Sequence, residues 1–456
     1  MMHSTNGLLT LVCLVWTTLV SATDEVKEYY LDNGLKLIVK EDHRAPVVVS
    51  QVWYKVGSSY EHLGITGTSH VLEHMMFKGT KNLGAGEFSR LIARQGGQEN
   101  AFTGQDFTGY YQRLEASRLE ISFRLESDRM HQLLLSAAEF KKELEVVKEE
   151  RRLRVEDKPH SRVSEVFRAA AFLYSPYSAP IIGWMNDLEH MTVGDLQQWY
   201  QRWYAPNNAT VVVVGDVQAA AVLALAKQYF GPIPRVDFPP LKVQKEPEQL
   251  GLKRVYVKVP AKLPYVLMGY KVPVINTATE VWEPYALEVL TGILDGGESA
   301  RFSKELVRGA AVINSISTSY SASERLDTLL SFGAVPTQDH TVAEVETALK
   351  AQIQRLQDEL VSAQELNRVK AQVLASDVFE RDSIFYQGMK MGILETTGVG
   401  WRVLESYIAQ IKAVTPEQIQ AVAKKYLIED RLTIAEMIPQ PITQQRQRQV
   451  KSTGRH

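Results

Sequence analysis

Cysteine is almost missing from this chain: of 456 residues, only position 13 holds one. A disulfide framework is thereby excluded. Also missing is an apolar run of the roughly 20 residues that a membrane-spanning helix needs. The run GLLTLVCLVWTTLV, residues 7–20, stops after about 14. Net charge is nearly absent as well. Lys and Arg total 51 against 53 Asp and Glu, leaving −2, so nothing points to nucleic acid or to an anionic membrane surface. Hydrophobic residues at 45% and charged residues at 23% give the balance of a soluble globular protein. The length exceeds what one ordinary core organises and predicts two or more domains.

The short apolar run is followed by Ser21 and Ala22, small residues at a plausible cleavage point. Residues 1–22 therefore read as a secretory signal cleaved after Ala22, with retention as an anchor the alternative. A lipoprotein reading through Cys13 is disfavoured by the bulk of Val12 before it. Apart from this signal no membrane contact is expected. The N-terminus also lacks the Arg-rich, Ser-rich amphipathic pattern of a mitochondrial import sequence. A periplasmic or secreted location follows, and the mature chain, without cysteine, must be held together by its cores alone.

Two stretches resemble each other at an offset of 223. In residues 191–217 and 414–439, Thr192 meets Thr415, Leu196 meets Ile419, Trp203 meets Tyr426 and Thr210 meets Thr433. Each reads as a capped helix, a short polar turn and a β-branched strand. The lead-in strands LDNGLKLIVKED (31–42) and QLGLKRVYVKVP (249–260) match too. One α+β domain is thus used twice. The expected limits are 27–238 for the first copy and 251–440 for the second. Between them, 239–250 forms a linker rich in Pro and charge, and 441–456 forms a polar, basic, disordered tail. Long helical patterns at 115–155 and 341–375 fill the middle of each copy.

The stretch TSHVLEHMMFKG sets His70 and His74 four residues apart, with Glu73 between them. On a helix capped near Thr66 or Thr68 and ended at Gly79, both imidazoles share one face and can reach one ion. Glu73 projects beside that face, free to hold and deprotonate a metal-bound water. Leu72, Met75, Met76 and Phe77 on the other surfaces imply a buried, dry setting. Two histidines leave a zinc site one protein ligand short. Candidates lie in EFKKELEVVKEERRLRVEDKP (139–159), with glutamates at 143, 145, 149 and 150. Glu143 and Glu150 are two helical turns apart and share a face with an apolar strip. A charge-rich helix of this kind is otherwise a solvated face.

The H-x-x-E-H order, with a glutamate about 75 residues later, resembles the pitrilysin, or insulinase-like, metallopeptidases. The blocks at 52–80, 96–114, 143–159 and 175–217 follow that family's order, and the resemblance covers most of residues 27–440. It implies two homologous pitrilysin-like α/β-sandwich domains in tandem, the compact two-domain type. It implies Zn2+ bound by His70, His74 and Glu150, with Glu73 as general base. Glu143 would support the site by holding His74 or the water. The segment NAFTG would be an edge strand that pairs with an extended peptide substrate through Asn100, Ala101 and Phe102. Without the resemblance, Asn100 reads as a turn residue at a strand end, and His62, His131 and His190 read as spare surface or helix residues.

The second copy departs from the pattern. Where active single-chain members carry an Arg and a Tyr that clamp substrate, an ungapped alignment from STSY places Asn314 at the tyrosine and Val307 or Arg308 at the arginine. The resemblance thus implies the zinc-bearing half of a two-subunit enzyme, paired with a homologous subunit that carries the Arg/Tyr pair. A homodimer is the alternative. Against an exported endopeptidase stand two other expectations: a non-catalytic peptide-binding or assembly subunit of the same fold, and a processing peptidase for targeting sequences.

Overall fold

The computed structural model of the chain describes residues 25–238 and 240–442. The expected signal, residues 1–22, and nearly all of the expected tail lie outside the described residues. Six strands form the first sheet: β1 (Val26–Tyr30), β2 (Lys36–Glu41), β3 (Val47–Tyr54), β4 (Gln98–Thr103), β5 (Thr108–Glu115) and β6 (Ala209–Gly215), in the order β1-β2-β6-β3-β5-β4. Five form the second: β7 (Lys253–Pro260), β8 (Tyr265–Val272), β9 (Ile313–Ser319), β10 (Thr328–Pro336) and β11 (Leu432–Gln440), in the order β7-β11-β8-β10-β9. With β1 removed the two orders coincide, including the single parallel pair, β2 with β6 and β7 with β11.

The internal repeat is visible at its anchor points. Thr192 and Thr415 each cap a helix through a reciprocal capping box. Leu196 and Ile419 are fully buried one turn later, and Thr210 and Thr433 are buried on the central strands β6 and β11. The long helical patterns, by contrast, are each interrupted. The first breaks between helices Leu119–Gln132 and Ala137–Arg151, where Leu133 forms a β-bridge with Thr80. The second breaks at Ser362, whose side chain starts helix Ala363–Asp382 with a capping box to Glu365. Apolar periodicity continues across both breaks, so only the caps mark them.

Each sheet carries its own helices on one face, and each half lends a helix to the other's second face. Helix Pro159–Ala171 lays Val163, Phe167 and Ala171 against Val257, Leu267 and Met437 of the second sheet. Helix Ile384–Thr397 sits on β3 and β6, where Met391 joins Ile38, Trp53, Val212 and Val214. The approach is close enough to need glycine. A Cβ on Gly392 would lie 2.0 Å from Cε2 of Trp53, which is fully buried. Gly392→Ala is therefore expected to destabilise the chain by about 1–3 kcal/mol through overpacking. Gly84→Ala, whose Cβ meets nothing nearer than 3.7 Å, is the control. Urea unfolding midpoints compare the two, and equal midpoints would refute a tight seam between the halves.

Residues 240–250 carry no helix or strand, yet they are tied down. Glu246 accepts the backbone N–H groups of Leu173, Tyr174 and Ser175 and pairs with Lys271 at 2.7 Å. Among the described residues, no helix is long and apolar enough to cross a membrane.

Candidate metal centre

Helix Thr68–Met75 begins one step later than a threonine cap at Thr66 predicts. Its N-cap is Gly67, at φ 89°, a left-handed conformation that glycine adopts without strain, and it makes no side-chain cap. The free N–H groups of the first turn are met from outside the local sequence. Glu61 accepts from Gly67 N and Ser69 N, both at 2.7 Å, and Asp187 accepts from Gly64 N, Thr66 N and Thr66 Oγ1. Burial pushes the Glu61 carboxyl up to about 7, against the two N–H bonds it accepts. The helix ends at Met75, and Gly79 turns the chain four residues later at φ 113°.

Val71, Leu72, Met75 and Met76 are buried in the first core, which fixes the rotation of the helix. His70 and His74 then face helix Ala137–Arg151. Glu150 Oε2 lies 3.7 Å from His70 Nε2 and 3.4 Å from His74 Nε2. These three ligand atoms all fall within 4.8 Å of one another. Glu143 Oε2 faces His74 Nδ1 at 3.3 Å. A proton on Nδ1, donated to Glu143, leaves the Nε2 lone pair directed at the cluster. Each carboxylate is held by a cation on its far oxygen: Lys78 Nζ to Glu143 Oε1 at 2.7 Å, and Arg154 Nη1 to Glu150 Oε1 at 2.6 Å. Glu145 and Glu149 instead pair outward with Lys148 and Arg152. Val147 packs inward between the two inner glutamates, while Val146 is half exposed. Just beyond Glu150 the helix widens into a π turn, Arg152–Glu156.

Tetrahedral zinc with bonds of about 2.0–2.2 Å places its ligands about 3.3–3.5 Å apart. Two imidazole nitrogens and one carboxylate oxygen at the separations above fit that ion. Electrostatics agree at His70 and Glu150. Burial, with a protonated His74 alongside, pushes His70 down to about 4, the neutral form a metal needs. The bond to His74 holds Glu150 low against its burial. For His74, burial opposes the charge, but Glu150 and Glu143 beside it prevail and raise the imidazole.

Glu73 stands apart from the three ligand atoms. Its Oε2 accepts a hydrogen bond from Thr103 Oγ1 at 2.5 Å, and burial raises the carboxyl. Thr103 ends β4, one of the two edge strands of the sheet, so among the described residues one edge of β4 is unpaired by any other strand. Asn100, Ala101, Phe102 and Thr103 line the same cleft, of about 1230 Å3, as His70, Glu73, His74 and Glu150. His62, His131 and His190 are exposed and do not join the cluster. Sequence reasoning missed Glu61, Asp187, Lys78, Arg154 and Thr103. Only Arg154, one turn from Glu150, and Thr103, inside NAFTG, carried a local signal.

Fold and cluster define the class: a tandem α/β protein with a two-histidine, one-carboxylate cluster that, among the described residues, stands on its first half alone. Two family models match the chain in order, Insulinase (Peptidase family M16) over residues 36–183 and Peptidase M16 inactive domain over residues 190–373. The chain belongs to the insulinase-like M16 peptidase family. It is similar to the zinc protease PqqE of Helicobacter pylori, 38% identical over 61% of this chain and 62% of that protein. That match spans less than two thirds of the relative. The uncharacterized zinc protease YmxG of Bacillus subtilis is 24% identical over 89% of this chain and 96% of its own. Among solved structures, a protease from Helicobacter pylori superposes with a TM-score of 0.86 at 29% identity, covering 91% of this chain and all of that one. The periplasmic protease PqqL of Escherichia coli shares the fold with a TM-score of 0.75 at 19% identity, covering 94% of this chain and 50% of that one.

Proposed function

We propose that the chain is an exported zinc endopeptidase that hydrolyses peptides or unfolded segments, and that it supplies the zinc-bearing subunit of a two-subunit enzyme. One observation carries this reading. His70, His74 and Glu150 converge within 4.8 Å in a cleft of about 1230 Å3 that the edge strand β4 also lines. Export rests on residues 1–22, which read as a signal for the periplasm or the medium.

Bound zinc supplies a Lewis acid for the scissile carbonyl and acidifies a water near neutrality. The chain's own residues do the rest. The edge of β4 at Asn100–Phe102 takes the substrate as an added strand and holds its carbonyl in register. Thr103 fixes Glu73 through Oε2 and leaves Oε1 free. Oε1 accepts the proton of the attacking water and passes it to the leaving amine nitrogen. Glu143 keeps His74 in one tautomer, and Arg154 keeps Glu150 from turning away.

The purified chain is expected to hold one zinc and to cleave flexible peptides in preference to compact folded proteins. Elemental analysis of the wild type and of a His70→Ala, His74→Ala double variant tests this. Zinc kept at full occupancy by the double variant would remove the site. A second reading, a non-catalytic peptide-binding or assembly subunit, draws on the match of residues 190–373 to an inactive domain. It predicts peptide binding with neither metal nor hydrolysis.

A further inference from the structure

The cleft has charged walls, and almost every charge in them is matched. Glu150 pairs with Arg154, Glu149 with Arg152 and Glu165 with Arg151, while Glu73 is held by Thr103. Arg168 is the exception. It lines the cleft, and among the described residues no carboxylate lies within ion-pair distance of it. Its guanidinium donates from Nη1 to Gln105 Oε1, at 3.3 Å. A guanidinium has five N–H donors in a planar fork that matches a carboxylate. Arg168 is exposed on the cleft wall, with Glu324 and Tyr177 near enough to favour its charge. Glu324 does not close the pair, and burial in turn raises its own carboxyl.

Arg168 is also firmly placed. Helix Pro159–Ala171 is pinned to the second sheet by Val163, Phe167 and Ala171. Its opposite face, Ser161, Ser164, Glu165 and Arg168 at one-turn spacing, is turned to the cleft. Gln105 is fixed as well. Ser59 N donates to its carbonyl at 2.7 Å, and the next residue, Asp106, is fully buried against Arg325 at 3.0 Å. Gln105 lies in the turn that directly follows Thr103, between β4 and β5. The unmatched cation therefore stands just past the end of the edge strand, at a fixed offset from Glu73.

We propose that Arg168 is a specificity residue that binds a carboxylate of the substrate within about three residues of the scissile bond. This rests on the peptidase reading above. The carboxylate is either an Asp or Glu side chain or the peptide's own C-terminus, and both present the same anion to the same fork.

A peptide series with one fixed cleavage site decides the matter. Glu, Gln or Lys is placed at each of the three positions on either side, with the C-terminus free or amidated. At one position Glu is expected to exceed Gln in kcat/KM by about tenfold, as a charge-assisted hydrogen bond allows. If the gain instead follows the free C-terminus and vanishes on amidation, the terminal carboxylate is the ligand. Arg168→Gln is expected to bring the ratio to about one, and Arg168→Glu to favour Lys. Each ratio is read within one variant, so a general loss from imperfect folding cancels. A Glu-to-Gln ratio identical in wild type and Arg168→Gln would overturn the proposal. The same peptides are bound, without turnover, to Glu73→Gln and to Glu73→Gln, Arg168→Gln, with calorimetry as the readout. Should the wild type cleave none of the peptides, alone or mixed with a homologous chain carrying the Arg/Tyr pair, the peptidase reading fails. The binding ratio then still decides Arg168, and equal affinities for Glu and Gln peptides would end the proposal.

Discussion

Glu73→Gln is expected to retain zinc and to lose peptide hydrolysis by about 10²- to 10⁴-fold, the range for removal of a general base. The substitution is nearly isosteric, and its amide oxygen can still accept from Thr103, as Oε2 does now at 2.5 Å. What disappears is the ability to take a proton at the second oxygen. Since Glu73 stands apart from the three clustered ligand atoms, metal content should not change. Glu150→Gln should do the reverse. It removes the one anionic donor, 3.7 and 3.4 Å from the two imidazoles, and leaves Arg154 without its 2.6 Å partner beside the cluster. Metal retention should weaken first, with activity following the zinc lost. Elemental analysis and peptide turnover on the same preparations separate the two roles. Identical behaviour of the two variants would show that the roles are wrongly divided.

How much of this was readable beforehand follows from which contacts are local. His70 and His74 belong to one helix, so a spacing of four places them together whatever the rest of the chain does. Glu143 and Glu150 share a face for the same reason, though nothing local says that this face turns inward. Burial of Val147 on the first core, with Val146 left half exposed, decides it. The supports are another matter. Glu61 reaches the helix N-terminus across a loop, Asp187 arrives from more than 100 residues away, and Thr103 approaches Glu73 only because β4 is an edge strand of the sheet. The tandem repeat was legible through Thr192 and Thr415, whose caps mark equivalent helices. The exchange of covering helices was not. Val163, Phe167 and Ala171 form a readable apolar stripe, but a stripe does not name the sheet it covers.

The purified chain is expected to be a weak peptidase alone and to gain about 10²- to 10³-fold when mixed with a homologous chain that lacks the His/Glu cluster but carries the Arg/Tyr pair. That is the usual cost of removing one oxyanion donor. The described cleft is lined only by residues 70 to 182, so the second half contributes no donor to it. Asn314 lies exposed on β9, the edge strand of the second sheet, and reaches roughly 4 Å less far than a tyrosine there would. Arg308 is spent on the carbonyl of Glu298. Tyr320, the nearest tyrosine in sequence, donates its hydroxyl to the Pro273 carbonyl at 2.8 Å and packs on the second core. Tyr320→Phe should therefore cost stability through a lost, partly buried bond and leave turnover per folded molecule unchanged. A homodimer makes a different prediction, since a second copy brings Asn314 again and adds no donor. Turnover by the single chain at saturating zinc, measured with and without the homologue, discriminates. High activity alone that is insensitive to the homologue and abolished by Tyr320→Phe would overturn the split site, because Tyr320 would then have to leave Pro273 and reach the cleft within its own chain.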